Sequence, residues 1–164
     1  MIVVSNTSPI INLAAISQLS ILQQLYSNLI IAQAVYDEIV VAGQGLPGSV
    51  EVKNGTGISN KIVKNQTLVK ALKLELDPGE AETIALALEV GADIVLLDEK
   101  NGRQVATRFN QKVIGILGIL IEAKNNNLIG DVKTQMDNLT SKAGFWINPK
   151  LYNKVLQIAG EYTS

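Results

Sequence analysis

Four short runs of apolar, largely β-branched residues, at 2–5, 29–31, 93–97 and 112–114, recur along the chain with helical segments between them. Runs of this length are too brief for helices and fit buried strands. Strands that alternate with helices need right-handed crossovers, which produce a mostly parallel, twisted sheet covered by helices on both faces. The expected fold class is therefore α/β. A chain of 164 residues suits one domain spanning 1–164.

The punctuation between the runs supports this layout. Thr7-Ser8-Pro9 predicts a helix start, with a hydroxyl residue as N-cap and proline at the first helical position. The helix continues through Ile10, Leu13 and Ala14, and a second carries Ile21, Leu22 and Leu25. Residues 33–41 predict a helix with Val35, Ile39 and Val40 apolar and Glu38 within it. Residues 43–49 predict a loop. That loop spells Gly43-x-Gly45-x-x-Gly48, a dinucleotide fingerprint on paper, but it follows a helix rather than a strand and contains Pro47. Residues 50–65 are polar, with Ile58 and Ile62-Val63 as candidate strand positions. A helix is expected over 66–74. Asp77 as N-cap and Pro78 at the first position open a longer one, apolar nearly all round and so buried, which Gly91 ends. Further helices are expected over 101–109, 115–124, 131–142 and 149–159, the last opened by Asn148-Pro149.

Composition restricts the chemistry. The chain has no cysteine and no histidine, which excludes disulfides, thiolate metal sites and the histidine general base. Any metal site must use oxygen ligands, which favour hard cations such as Mg²⁺ or Mn²⁺. A net charge of −1 lacks the basic excess of a protein that coats nucleic acid. The longest apolar stretch, 113–121, is far short of the roughly 18 residues of a membrane span. Met1-Ile2-Val3-Val4 has no basic leader, so a cytoplasmic protein without a membrane partner is expected.

In parallel sheets, sites form at the carboxyl ends of the strands. Asn6 follows the first strand and Asp98-Glu99 follow the central one, which puts them at the same edge. Glu38 lies in an apolar helical segment and Glu80 opens a very apolar helix. The set singled out is Asn6, Glu38, Glu80 and Asp98, with Glu82 and Glu99 in reserve. Buried carboxylates repel one another and lose solvation, so they need a cation or protons to persist. Each residue alone also fits a plain scaffold role: Glu80 at a helix dipole, Asp98 as an N-cap, Glu38 on a solvated face, Asn6 in a turn.

The order of the whole set resembles the PIN-domain superfamily of metal-dependent ribonucleases, which includes VapC-like toxins. It is most similar to a branch of small PIN-like proteins long catalogued as a domain of unknown function. The matching stretches are Val3-Val4-Ser5-Asn6-Thr7-Ser8-Pro9, Ala34-Val35-Tyr36-Asp37-Glu38, the block from Leu76-Asp77-Pro78-Gly79-Glu80 to Ala87, Val95-Leu96-Leu97-Asp98-Glu99, and residues 113–129. The resemblance implies Glu38, Glu80 and Asp98 as catalytic acids and, with Asn6, as ligands of Mg²⁺ or Mn²⁺. Glu82 competes with Glu80, and Glu99 and Asn101 stand near enough to contribute. Arg103 and Lys100 are candidates for phosphate contact. The implied activity is hydrolysis of RNA phosphodiester bonds, as the toxin of a toxin–antitoxin pair, with a homodimer and a small antitoxin protein as partners. The family pattern has an aspartate where this chain has Asn6, a neutral ligand that cannot act as a base. The alternative expectation is therefore a weakened or inactive module that binds nucleic acid or protein. A nucleotide-binding domain unrelated to RNA is disfavoured by the lack of a phosphate-binding glycine loop.

Overall fold

The computed structural model describes residues 1–55 and 57–162. Five strands, β1 (Val3–Ser5), β2 (Leu29–Ala32), β3 (Ile58–Lys61), β4 (Ile94–Leu96) and β5 (Val113–Ile114), form one sheet in the order β3-β2-β1-β4-β5. Every pairing is parallel. The helices are α1 (Thr7–Ala15), α2 (Ser20–Leu25), α3 (Gln33–Tyr36), α4 (Ser49–Lys53), α5 (Gln66–Leu72), α6 (Pro78–Val90), α7 (Lys100–Arg108), α8 (Ile116–Asn125), α9 (Val132–Ala143) and α10 (Pro149–Ile158). The domain is α/β, with the expected helices on both faces.

Strand alternation divides the interior in two. Val3 is in register with Leu29 and Ile94, and these side chains join the cluster that includes Ile10, Leu22, Ile119 and Met136. Val4 is in register with Ile30 and Val95, which face the opposite cluster of Val69, Ile84, Ala85 and Val105. A strand buried on both faces has no polar position to show, which is why these runs are continuously apolar.

Three segments differ from the sequence expectation. The helix expected over 33–41 is a short α3 followed by a π-helical turn, Asp37–Ala42, a wider coil that recurs at functional sites. The expected loop at 43–49 and the polar segment after it hold α4, and the strand there is Ile58–Lys61, ending before Ile62-Val63. The β3 strand is an edge strand with three of its four residues exposed, so apolar patterning cannot reveal it. Finally, α1 begins at Thr7 with Asn6 in the N-cap place, and Pro9 is its third residue rather than its first.

The chain lays β1, β2 and β3 outward in one direction, then returns to place β4 on the other side of β1. This reversal opens a crevice at the carboxyl ends of β1 and β4. Leu96 is fully buried on β4 beside it, and its truncation to alanine should cost ~2–5 kcal/mol in urea unfolding. Leu74→Ala, at a position 88% exposed, should change stability by no more than about 0.5 kcal/mol.

Candidate functional site

Asn6 leaves β1 in an extended conformation and donates its backbone N–H to Leu96 O at 2.9 Å, so the ladder continues one residue past the strands. Its side chain is buried, 3% exposed. The amide Nδ2 donates to Glu99 Oε2 at 3.1 Å, and Oδ1 accepts a long 3.5 Å contact from Thr83 Oγ1. The first-turn hydroxyls of α1, expected as caps, reach outward instead. Thr7 Oγ1 donates to Glu38 Oε2 at 2.7 Å, and Ser8 Oγ donates to Glu99 Oε1. Glu99 occupies the N-cap place of α7 but makes no side-chain cap bond, because Asn6 and Ser8 hold its carboxylate.

Glu80 is the third residue of α6 and 7% exposed. It forms a capping box with Asp77: its N–H donates to Asp77 Oδ1 at 2.8 Å, and Asp77 N–H approaches Glu80 Oε1 at 3.4 Å. Asp98 uses one oxygen in the same way, with Ile116 N–H donating to Oδ1 at 2.9 Å at the start of α8. The second oxygen of each acid, Glu80 Oε2 and Asp98 Oδ2, is buried without a hydrogen-bond partner. Among the described residues none of Glu38, Glu80, Asp98 and Glu99 forms an ion pair.

Two glycines explain how the acids fit. A Cβ on Gly79 would stand 2.3 Å from Glu38 Oε1 and 3.3 Å from Asn6 Oδ1. Glu38, Asn6 and the start of α6 therefore meet at one point. A Cβ on Gly102, inside α7, would stand 2.7 Å from Glu80 Oε2. A glycine within a helix costs roughly 1 kcal/mol against alanine, and here it leaves room for a carboxylate.

The remaining sequence-predicted residues separate clearly. Glu82 faces away, its Oε1 accepting from Ala34 N–H at 3.1 Å at the start of α3. Lys100, Asn101 and Arg103 lie exposed on the first turn of α7. Arg103 comes nearest the acids, where its Nη1 and Asp98 Oδ1 flank Gly115. Residues that reach the site without being expected there are Thr7, Ser8 and Asp77, which the sequence marks only as helix starts, and Thr83, Gly79 and Gly102. Gly102, in the first turn of α7 where a residue with a side chain is the better helix former, is the one local sign.

Loss of solvation raises the carboxyl pKa values of Glu38, Glu80 and Asp98. Burial, then the hydrogen bond with Asp77 and the charges of Asp77 and Glu99, push Glu80 up to about 7 from an ordinary 4.5. Burial pushes Asp98 up to about 6 from 3.8, assisted by Glu99 and opposed by the Ile116 N–H and Arg103. Glu38 borders solvent, yet its packed surroundings still raise it, with Asp77 and Glu99 adding to the rise and Thr7 opposing it.

A family model described as DUF3368, a PIN domain, matches residues 2–161. The chain belongs to this PIN-domain family. Its fold is accordingly of nuclease type. A search of curated proteins finds no match.

PIN domains generally use divalent metals. The donor chemistry here fits such an ion: oxygen ligands throughout, two buried carboxylate oxygens without partners, and no ion pair to the four acids among the described residues. As the side chains stand, no three acids among the described residues gather closely enough to hold an ion together.

The raised pKa values set the pH dependence of the metal-free protein. Through Glu80 and Asp98 the folded state binds more protons than the unfolded state between about pH 4 and 7, so the stability these two groups contribute is greatest on the acid side and is lost as pH rises through that window. Denaturation in chelator at pH 5 and pH 8 should show this fall, and Glu80→Gln or Asp98→Asn should flatten it. An unchanged slope in both variants would contradict the assignment.

Proposed function

We infer that this PIN domain is a metal-dependent endoribonuclease. The observation that supports this reading most is the pair of partnerless carboxylate oxygens on Glu80 and Asp98 at the β1/β4 crevice. Glu38, Glu80 and Asp98 would hold a divalent cation, Mg²⁺ or Mn²⁺, with the Asn6 amide oxygen as a neutral fourth donor. Such an ion supplies a more acidic bound water and neutralises charge that develops on the phosphate.

The chain's own residues do the rest. The Asp77 and Ile116 backbone contacts engage one oxygen of Glu80 and of Asp98 and leave the other oxygen of each open to a ligand. Thr7 steadies Glu38. Glu99 and Asn101 flank the centre, and Arg103 and Lys100 offer charge to a phosphate oxygen. The role of toxin in a toxin–antitoxin pair, a small antitoxin partner and a homodimer belong to the same reading and rest on family membership.

A second reading, a nucleic-acid-binding or protein-binding module with little turnover, draws support from Asn6. Its amide N–H holds Glu99, a contact a carboxylate could not make without repulsion. Two experiments separate the readings. Purified protein with Mn²⁺ should cleave RNA, and Glu38→Gln, Glu80→Gln and Asp98→Asn should each lower the rate by ~10²-fold or more, as expected for an essential acid or base. Equal rates in all four proteins would mean contamination. In calorimetry, Asn6→Asp should bind Mn²⁺ at least ~10-fold more tightly, about 1.4 kcal/mol, because it restores a buried charge. Metal binding only in that variant would favour the second reading.

A further inference from the structure

Asp98 and Arg103 stand where two clefts meet. One cleft, of about 450 Å³, runs between β5, α8 and α10 and is walled by apolar side chains such as Leu117, Ile121 and Leu151, with Trp146 on its lip. Trp146 is the chain's single tryptophan and is 75% exposed, in the segment between α9 and α10. The apolar cleft reaches the acid edge because Gly115 has no side chain: a Cβ there would stand 2.7 Å from Asp98 Oδ1 and 2.8 Å from Arg103 Nη1. The other cleft follows α7, where Asp98 and Arg103 are joined by Lys100, Gln104 and Thr107, so its walls are aliphatic stems that end in cationic, amide and hydroxyl groups.

We propose that the apolar cleft is a subsite for an unpaired base of single-stranded nucleic acid, stacked on Trp146, with the adjoining backbone carried past Asp98 by Arg103 and Lys100. The chemistry of the two clefts matches the two halves of a nucleotide. A base presents a flat π-face that stacks on an aromatic ring whatever its sequence, and a phosphate needs cationic and hydroxyl donors beside it. Duplex bases are paired and stacked inward, so they cannot enter such a cleft. The apolar cleft opens onto the acid edge at Gly115, so a strand whose backbone passes Asp98 has a base within reach of Leu117 and Trp146. The subsite deepens the ribonuclease reading by assigning Trp146 and the apolar cleft to a base next to the scissile bond, and it rests on that reading for the placing of that bond at Asp98.

Trp146 is its own probe. Wild-type protein in chelator, where no cleavage occurs, is titrated with a single-stranded RNA oligonucleotide while tryptophan emission is followed. The same titration is made with single-stranded DNA, an abasic oligonucleotide of equal length, and an RNA duplex. Saturable quenching by the RNA strand is expected, with little from the abasic strand or the duplex. Equal quenching by the DNA strand also supports the subsite and shows that the sugar is not read. Binding of labelled RNA by anisotropy should weaken about tenfold or more in Trp146→Ala and be kept in Trp146→Phe. Arg103→Gln should weaken binding and reduce its salt dependence. Far-UV circular dichroism confirms that each variant is folded. No quenching by any nucleic acid, equal quenching by the abasic strand, or unchanged binding in Trp146→Ala overturns the proposal; the first leaves the cleft to a protein partner. The two readings fail separately. Quenching without RNA cleavage in Mn²⁺ keeps the subsite and removes the nuclease, and cleavage without quenching does the reverse.

Discussion

Strands β1 and β4 lie side by side although two strands and several helices separate them in the chain. Val3, Val4 and Ser5 pair with Ile94, Val95 and Leu96, and the Asn6 N–H extends the ladder to Leu96 O. Nothing local brings these segments together. Their pairing is sustained by burial on both faces, with apolar side chains supplied alternately to two separate clusters. A one-residue slip would exchange those faces. The register therefore fixes the distance between the residue that follows β1 and the residues that follow β4, and Asn6 meets Glu99 as a result.

Parallel strands also aim the helices that follow them. The first turns of α1, α6, α7 and α8 gather near the same edge, each with N–H groups lacking intrahelical acceptors. Acids at that edge satisfy two of them: Asp77 takes the Glu80 N–H within the capping box, and Asp98 takes the Ile116 N–H. Helix N-termini favour negative charge, which reduces the repulsion among neighbouring carboxylates without removing it. The raised pKa values of Glu80 and Asp98 measure what remains.

This dual use explains which features were legible in sequence. The strands, α6 and its Asp77-Pro78-Gly79-Glu80 opening follow from periodicity and capping rules, and so does the sheet edge carrying Asn6 and Asp98. Glu80 and Glu82 looked interchangeable because both stand near the start of one helix. Two residues of rotation send them to opposite sides, one to the crevice and one to α3. Thr7 and Ser8 looked like caps because their residue types usually are. Only the tertiary arrangement offers them Glu38 and Glu99 as better acceptors. Gly79 and Gly102 are small because of carboxylates distant in sequence, so no local pattern could give the reason. The β3 strand was hidden because its pairing with β2 is a backbone matter and its side chains face water.

The division of labour within single carboxylates has a consequence for how such a domain can change over time. One oxygen of Asp98 belongs to the scaffold, through the Ile116 N–H, and the other is left free. An amide at the same place would keep the scaffold oxygen and lose only the charge. Chemistry and architecture can thus be inherited separately: a lineage can silence such a centre one residue at a time while the domain goes on folding. Asn6, a buried amide that donates to Glu99 and accepts a long contact from Thr83, shows one position where an amide sits comfortably at this edge.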